Sequence, residues 1–260
     1  MTQALIRRVA DGGHTEESDQ VAVEAPVAFV YNCRNHAVMM ATPVDLEDFA
    51  WGFSIAEGVV RKAEEVLSVR TGPKGPGYAL SIEIPAERAA EVAERARNLE
   101  GRTGCGLCGI ADIDRVLRPL PACRETEPVS MAALMEALHR LPSAQVLNRG
   151  SGALHAAAFA SPEGRLLFVR EDVGRHNALD KLIGAAARDG VDPESGFIVV
   201  TSRCSMEMVQ KVATFGCPIL IAISAPTSLA IELAERSNLT VAAFARETRL
   251  NLYTHPERII

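Results

Sequence analysis

Apolar positions recur with different periods in the two halves of the chain. In the first hundred residues they fall into short β-prone runs. Residues 27–32 and 36–40 flank a turn-forming stretch as in a hairpin, and residues 65–70 and 78–84 bracket the glycine- and proline-rich segment 71–77. Between the pairs, Thr42-Pro43-Val44-Asp45 predicts a helix start, with a hydroxyl cap and proline at the first helical position. Leu46, Phe49, Ala50 and Phe53 then repeat at helical spacing until Gly58 supplies a stop. Residues 86–98, rich in alanine and charge, predict an exposed helix. Residues 21–100 thus read as a small α+β domain, preceded by a loose polar tail over 1–20.

Beyond residue 128 the pattern changes. Helical segments at 131–141, 177–188, 206–215 and 228–235 alternate with apolar runs at 166–169, 197–200, 219–223 and 240–244. Such alternation, with nearly continuous apolar strands, predicts an α/β layer over 129–260 whose sheet is covered on both faces. Residues 101–128 have few periodic features and read as a connector between the two domains.

Composition narrows the function classes. The net charge of −6 argues against general nucleic-acid binding, which needs a basic footprint. No apolar run approaches the ~20 residues that span a bilayer. The N-terminal stretch has no apolar h-region, so a cytoplasmic location is expected. There the six cysteines should stay reduced rather than form a disulfide framework.

The connector carries the most distinctive chemistry, Gly104-Cys105-Gly106-Leu107-Cys108-Gly109. Two thiols on a glycine-rich loop suit a sulfur carrier that meets two partners in turn. Half a zinc site and a redox pair share this spacing, and spacing alone leaves all three open. Cys33, Cys204 and Cys217 read as small core hydrophobes, and Cys123 as a third thiol or part of the connector.

Other candidates cluster at predicted strand ends. In Arg170-Glu171-Asp172-Val173-Gly174-Arg175-His176-Asn177 a strand runs through a glycine turn into a helix. Arg175, His176 and Lys181 are candidates for phosphates, and Glu171 or Asp172 for a base or amino group. His155 follows a glycine-rich stretch that reads as leading into a helix. Arg246 and Arg249 stand three apart after a strand, a spacing suited to clamping phosphate.

Several longer motifs occur in order: Pro26-Val-Ala-Phe-Val-Tyr-Asn32, Phe49-Ala-Trp-Gly-Phe-Ser-Ile-Ala-Glu-Gly58, Cys105-Gly-Leu-Cys-Gly109, Arg170 to Asn177, Ala178-Leu-Asp-Lys181, Glu207-Met-Val-Gln-Lys211 and Tyr253-Thr-His-Pro256. Through them the chain resembles the formate dehydrogenase accessory sulfurtransferases, the FdhD/NarQ family. The resemblance implies a sulfurtransferase that receives sulfane sulfur from a cysteine desulfurase. It passes that sulfur to the molybdenum cofactor, in its bis-guanine-dinucleotide form, for a formate dehydrogenase. Cys105 would bear the persulfide with Cys108 as its partner. The segment Phe244, Ala245, Arg246, Glu247, Thr248, Arg249 would contact the cofactor. The resemblance further implies a cytidine-deaminase-like larger domain, no zinc and a homodimer. Deamination itself is not expected, because a zinc deaminase needs H-x-E and here the sequence reads His155-Ala-Ala157. A zinc-binding structural protein and a cofactor chaperone that handles no sulfur are the alternatives.

Overall fold

The computed structural model describes residues 1–97, 119–246 and 248–260, so Cys105, Cys108, Glu247 and most of the expected connector lie outside the described residues. Within them the chain is a mixed α/β protein, and its strands form three sheets.

The N-terminal unit places strands β3 (Ala25–Tyr31) and β4 (Arg34–Ala41) in the expected hairpin. Strands β5 (Ser68–Lys74) and β6 (Gly77–Glu83) form a second hairpin, and β3 and β6 join it to the first in parallel, in the order β4-β3-β6-β5. Helix α1 (Leu46–Ala56) follows β4 and packs Phe49 and Phe53 against Phe29, whose ring lies 4.9 and 4.1 Å from theirs between centroids. Its start differs from expectation. Asp45, in the left-handed region and without a side-chain cap bond, precedes the first helical residue. Thr42 is not a cap, because its polar groups are engaged by residues far along the chain. Helix α2 (Ala86–Arg97) is less exposed than its composition predicts, with Arg88 and Val92 buried.

The first twenty residues, expected as a loose tail, pair instead as an antiparallel hairpin of β1 (Thr2–Ala10) and β2 (Gly13–Val21). The Asp11-Gly12 turn, with Gly12 at φ 101°, permits the reversal.

The larger sheet has the order β12-β11-β10-β9-β7-β8. Its strands are β7 (His155–Ala160), β8 (Leu166–Asp172), β9 (Phe197–Val200), β10 (Ile219–Ala222), β11 (Thr240–Arg246) and β12 (Arg249–Leu252). The β9-β10-β11 core is parallel, whereas β7 runs against both β8 and β9. Residues one apart along a strand point to opposite faces, and here each face has its own core. Ala156, Ala158, Phe197, Val199 and Ile221 meet helix α3 (Met131–Ala144) on one side. Ala157, Phe159, Ile198, Val200 and Leu220 lie on the other, with α5 (Arg175–Arg188), α6 (Met206–Phe215) and α7 (Ser228–Arg236). The short α4 (Asn148–Ser151) precedes β7.

That second core is continuous with the N-terminal unit. Helices α1 and α5 cross at two glycines. A Cβ on Gly52 would lie 1.6 Å from the Asp180 carbonyl oxygen, and one on Gly184 would lie 1.8 Å from that of Asp48. The backbones touch, and no larger residue fits at either position. Asp48, buried at this crossing, accepts from Arg170 at 2.7 Å and also from Arg188.

Candidate functional site

The ends of β8, β9, β10 and β11 and the start of antiparallel β7 lie along one edge of the larger sheet. Main-chain bonds stitch this edge together: Ile223 N–H to Val200 O, Ser224 N–H to Ser202 O, Cys204 N–H to Ala225 O and Phe244 N–H to Ser224 O. Ligands of open α/β sheets bind outside such an edge. Helices α5, α6 and α7 all begin here. Thr227 caps α7 by accepting from Ala230 N–H, but Gly174 and Ser205 give α5 and α6 no side-chain cap bond. Uncapped N–H groups at a helix start suit an anion.

The motif from Arg170 divides at this edge. Its first half faces inward. Arg170 holds Asp48. Glu171, buried, accepts from the N–H groups of Leu147 at 2.8 Å and Asn148 at 2.6 Å, where α4 begins. Asp172, wholly buried, accepts from Lys181 Nζ at 2.6 Å, Thr42 N–H at 3.0 Å, Gly174 N–H at 2.8 Å and Asn177 Nδ2 at 2.9 Å. Lys181, also fully buried, donates again to the Thr42 carbonyl. The expected roles of Lys181 with phosphate and of Glu171 or Asp172 with a base are therefore corrected. These charges serve internal partners and present nothing to solvent.

The second half of the motif is left with free polar atoms. Arg175 Nε and His176 Nε2 are shielded from solvent and have no hydrogen-bond partner. Burial, reinforced by the cations of Arg175 and Lys211, pushes His176 down to about 4, so its imidazole is neutral at physiological pH. His155 lies across the strand pair from Asp172, in a strand rather than the expected helix. Burial and then Arg175 hold it below the usual histidine range, with Asp172 opposing them. Glu207, in the first turn of α6, sits near enough to His176 to favour its charge.

At the far end of this edge, β11 carries an irregularity between Ala243 and Arg246. Phe244 there has φ 53° and its side chain is exposed, an unusual backbone for an aromatic residue. Ala245, beside it, is buried in the α3 core, and Thr248 is exposed. Arg246 and Arg249 are direct cross-strand partners, both exposed. Like charges in that arrangement repel, and an anion between them would relieve the repulsion.

The cysteines sort by exposure. Burial pushes Cys123 up to about 11 and Cys204 and Cys217 up to about 12, which suppresses thiolate formation. Cys123 donates to the Cys217 carbonyl at 3.5 Å, which fixes it as a packed residue rather than a third working thiol. Cys33, expected in the core, is exposed in the β3–β4 turn with φ 65°. Among the described residues, no group of three or more His, Cys, Asp or Glu side chains is placed to hold a metal ion.

Comparison with known proteins finds relatives that match nearly the whole chain. The chain is 46% identical over 258 residues to the sulfur carrier protein FdhD of Bordetella petrii, covering 98% of this chain and 93% of that one. It is 50% identical over 254 residues to the protein of the same name from Xanthomonas euvesicatoria, covering 98% and 90%. A crystal structure described as that of a formate dehydrogenase accessory protein from Desulfotalea psychrophila superposes with a TM-score of 0.79 at 29% identity, over 100% of this chain and 99% of that one. Residues 22–260 match the model of the FdhD/NarQ family, which takes in both sheets and the shared core between them. The chain belongs to the FdhD/NarQ family.

Proposed function

We propose that this chain is a cytoplasmic sulfur carrier acting as a sulfurtransferase. It takes sulfane sulfur from a cysteine desulfurase as a persulfide on Cys105. It delivers that sulfur to the bis-guanine-dinucleotide molybdenum cofactor, on behalf of a formate dehydrogenase. Relatives that share half of its residues carry the name of sulfur carrier. The observation that carries the cofactor half of the reading is the sheet edge. Two uncapped helix starts, Arg175 and His176 with a buried nitrogen each that lacks a hydrogen-bond partner, the facing Arg246 and Arg249, and the exposed Phe244 ring all lie along it. Cations and free N–H groups suit the phosphates of a dinucleotide, and an exposed aromatic suits its base.

The thiol chemistry follows from exposure. Three of the four described cysteines are buried with raised thiols, so they are poor acceptors of sulfur. In loading, the Cys105 thiolate attacks the outer sulfur of the donor's persulfide, and the donor cysteine leaves as a thiolate. In release, the Cys108 thiolate attacks the inner sulfur of Cys105 and expels the outer one as sulfide to the molybdenum. A Cys105–Cys108 disulfide remains, which a low-molecular-weight thiol then reduces.

Incubation with a cysteine desulfurase and cysteine, followed by intact-mass measurement, tests this directly. The protein should gain one sulfur atom that a reductant removes, Cys105→Ser should gain none, and Cys108→Ala should load but release slowly. Full sulfur delivery by the Cys105→Ser protein would refute the reading.

A further inference from the structure

We propose that Thr42, acting with Asp172, is a positioning residue through which the N-terminal unit sets the geometry of the nucleotide-facing turn; its functional consequence rests on the reading above. The turn after β8 is held at successive main-chain groups. Val173 N–H donates to Thr42 Oγ1 at 3.1 Å, and Gly174 N–H donates to Asp172 Oδ1 at 2.8 Å. Asn177, in the first turn of α5, donates through Nδ2 both to Asp172 and to the Met40 carbonyl, each at 2.9 Å. Lys181, one turn further on, bridges Asp172 and the Thr42 carbonyl. Arg175 and His176 sit inside this frame, between Gly174 and Asn177, and His155 faces Asp172 across the strand pair.

The anchoring atoms therefore come from the end of β4, 130 residues before Asp172 and in a different sheet. A fully buried ion pair is an expensive way to gain stability, because apolar residues of similar volume often do as well. What the pair adds here is direction. Four donors on one carboxylate fix the turn relative to both units, and a Cβ on Gly174 would already meet Asn177 Nδ2 at 2.8 Å. Little slack remains in the backbone that presents Arg175 and His176.

The test removes one buried hydroxyl. Thr42→Val keeps the side-chain shape but leaves Val173 N–H without its acceptor, whereas Thr42→Ser keeps the acceptor. Thr42→Ala serves as a second hydroxyl-free variant should the valine protein fold poorly. In ligand-free protein, the imidazole resonances of His155 and His176 should move in the hydroxyl-free variants and stay near the parent's in Thr42→Ser. Guanosine diphosphate, used as the probe in calorimetry, should bind about tenfold more weakly to the hydroxyl-free variants. Serine should restore that affinity, and sulfur loading on Cys105 should match the parent throughout. Unmoved resonances in a folded hydroxyl-free variant, or a serine protein as impaired as the valine one, would overturn the positioning role. A parent that binds no guanosine diphosphate would instead count against the proposed substrate, and the histidine resonances would still decide the role of Thr42.

Discussion

The seam between the N-terminal unit and the larger sheet and the open edge of that sheet are built from one stretch of chain, yet treat polar groups in opposite ways. Along the seam Arg170, Glu171, Asp172 and Lys181 each meet a partner of opposite charge or a main-chain group, mostly out of water. A few residues away, at the edge, Arg175 and His176 retain buried atoms that nothing satisfies, and α5 and α6 start without side-chain caps. An unmet buried donor costs about 1–3 kcal/mol, and under the proposed function a ligand at the second half of the motif would offset that cost. The charge of a residue does not separate the two classes. Whether its partner already lies inside the protein does.

The sharpest way to break this contrast is at the seam. Gly52→Ala drives a methyl into the backbone of α5, where neither helix can yield. Chemical denaturation should show a loss of about 3 kcal/mol or more. Gly72→Ala has open space and ordinary φ, so it should fall within about 0.5 kcal/mol of the parent. An equally mild Gly52→Ala would mean that the two units are not locked together. A smaller effect is expected from His176. Its folded-state value lies near 4, below the ordinary 6.5, so its contribution is fully present above pH 6.5 and is lost as pH falls toward 4. Stability measured at pH 7 and pH 4.5 should differ by an amount that His176→Gln reduces by on the order of 2 kcal/mol. An unchanged pH slope would show that the imidazole is not held neutral. The smallest stability effect belongs to Arg249→Ala. Exposed at the edge, it should leave the denaturation midpoint within about 0.5 kcal/mol while weakening guanosine diphosphate binding several-fold. The reverse outcome, lost stability with intact binding, would move Arg249 from the edge class to the seam class.

What the sequence made legible follows the range of the interaction. Period-two and helical patterns are local, and they located β3, β4, α1, α6 and the strands β8 to β11 of the larger sheet within a few residues. The errors fall where a distant partner decides. Thr42-Pro43 has the composition of a helix start, but Asp172, Val173 and Lys181 claim its polar groups. Lys181 and Glu171 look like ligand-facing charges until their partners are known. His155 follows glycines that suit a helix start, but pairing of Ala157 with Val200 and of His155 with Asp172 places it in a strand. Cys33 departs from its expected core position for a local reason. Asn32 and Cys33 both take positive φ in a two-residue hairpin turn, and such turns face water. The Asp11-Gly12 pair is a hairpin signal, but the polar residues around it also fit a loose tail.

The glycine crossing of α1 and α5 carries a consequence for motion. Two helices in main-chain contact resist rocking against each other, because rotation drives backbone atoms toward overlap. Such a contact opposes closure of one lobe over a bound molecule, the usual strategy of two-lobed nucleotide enzymes. Under the proposed function, the two units would meet a bound molecule as one stiff platform.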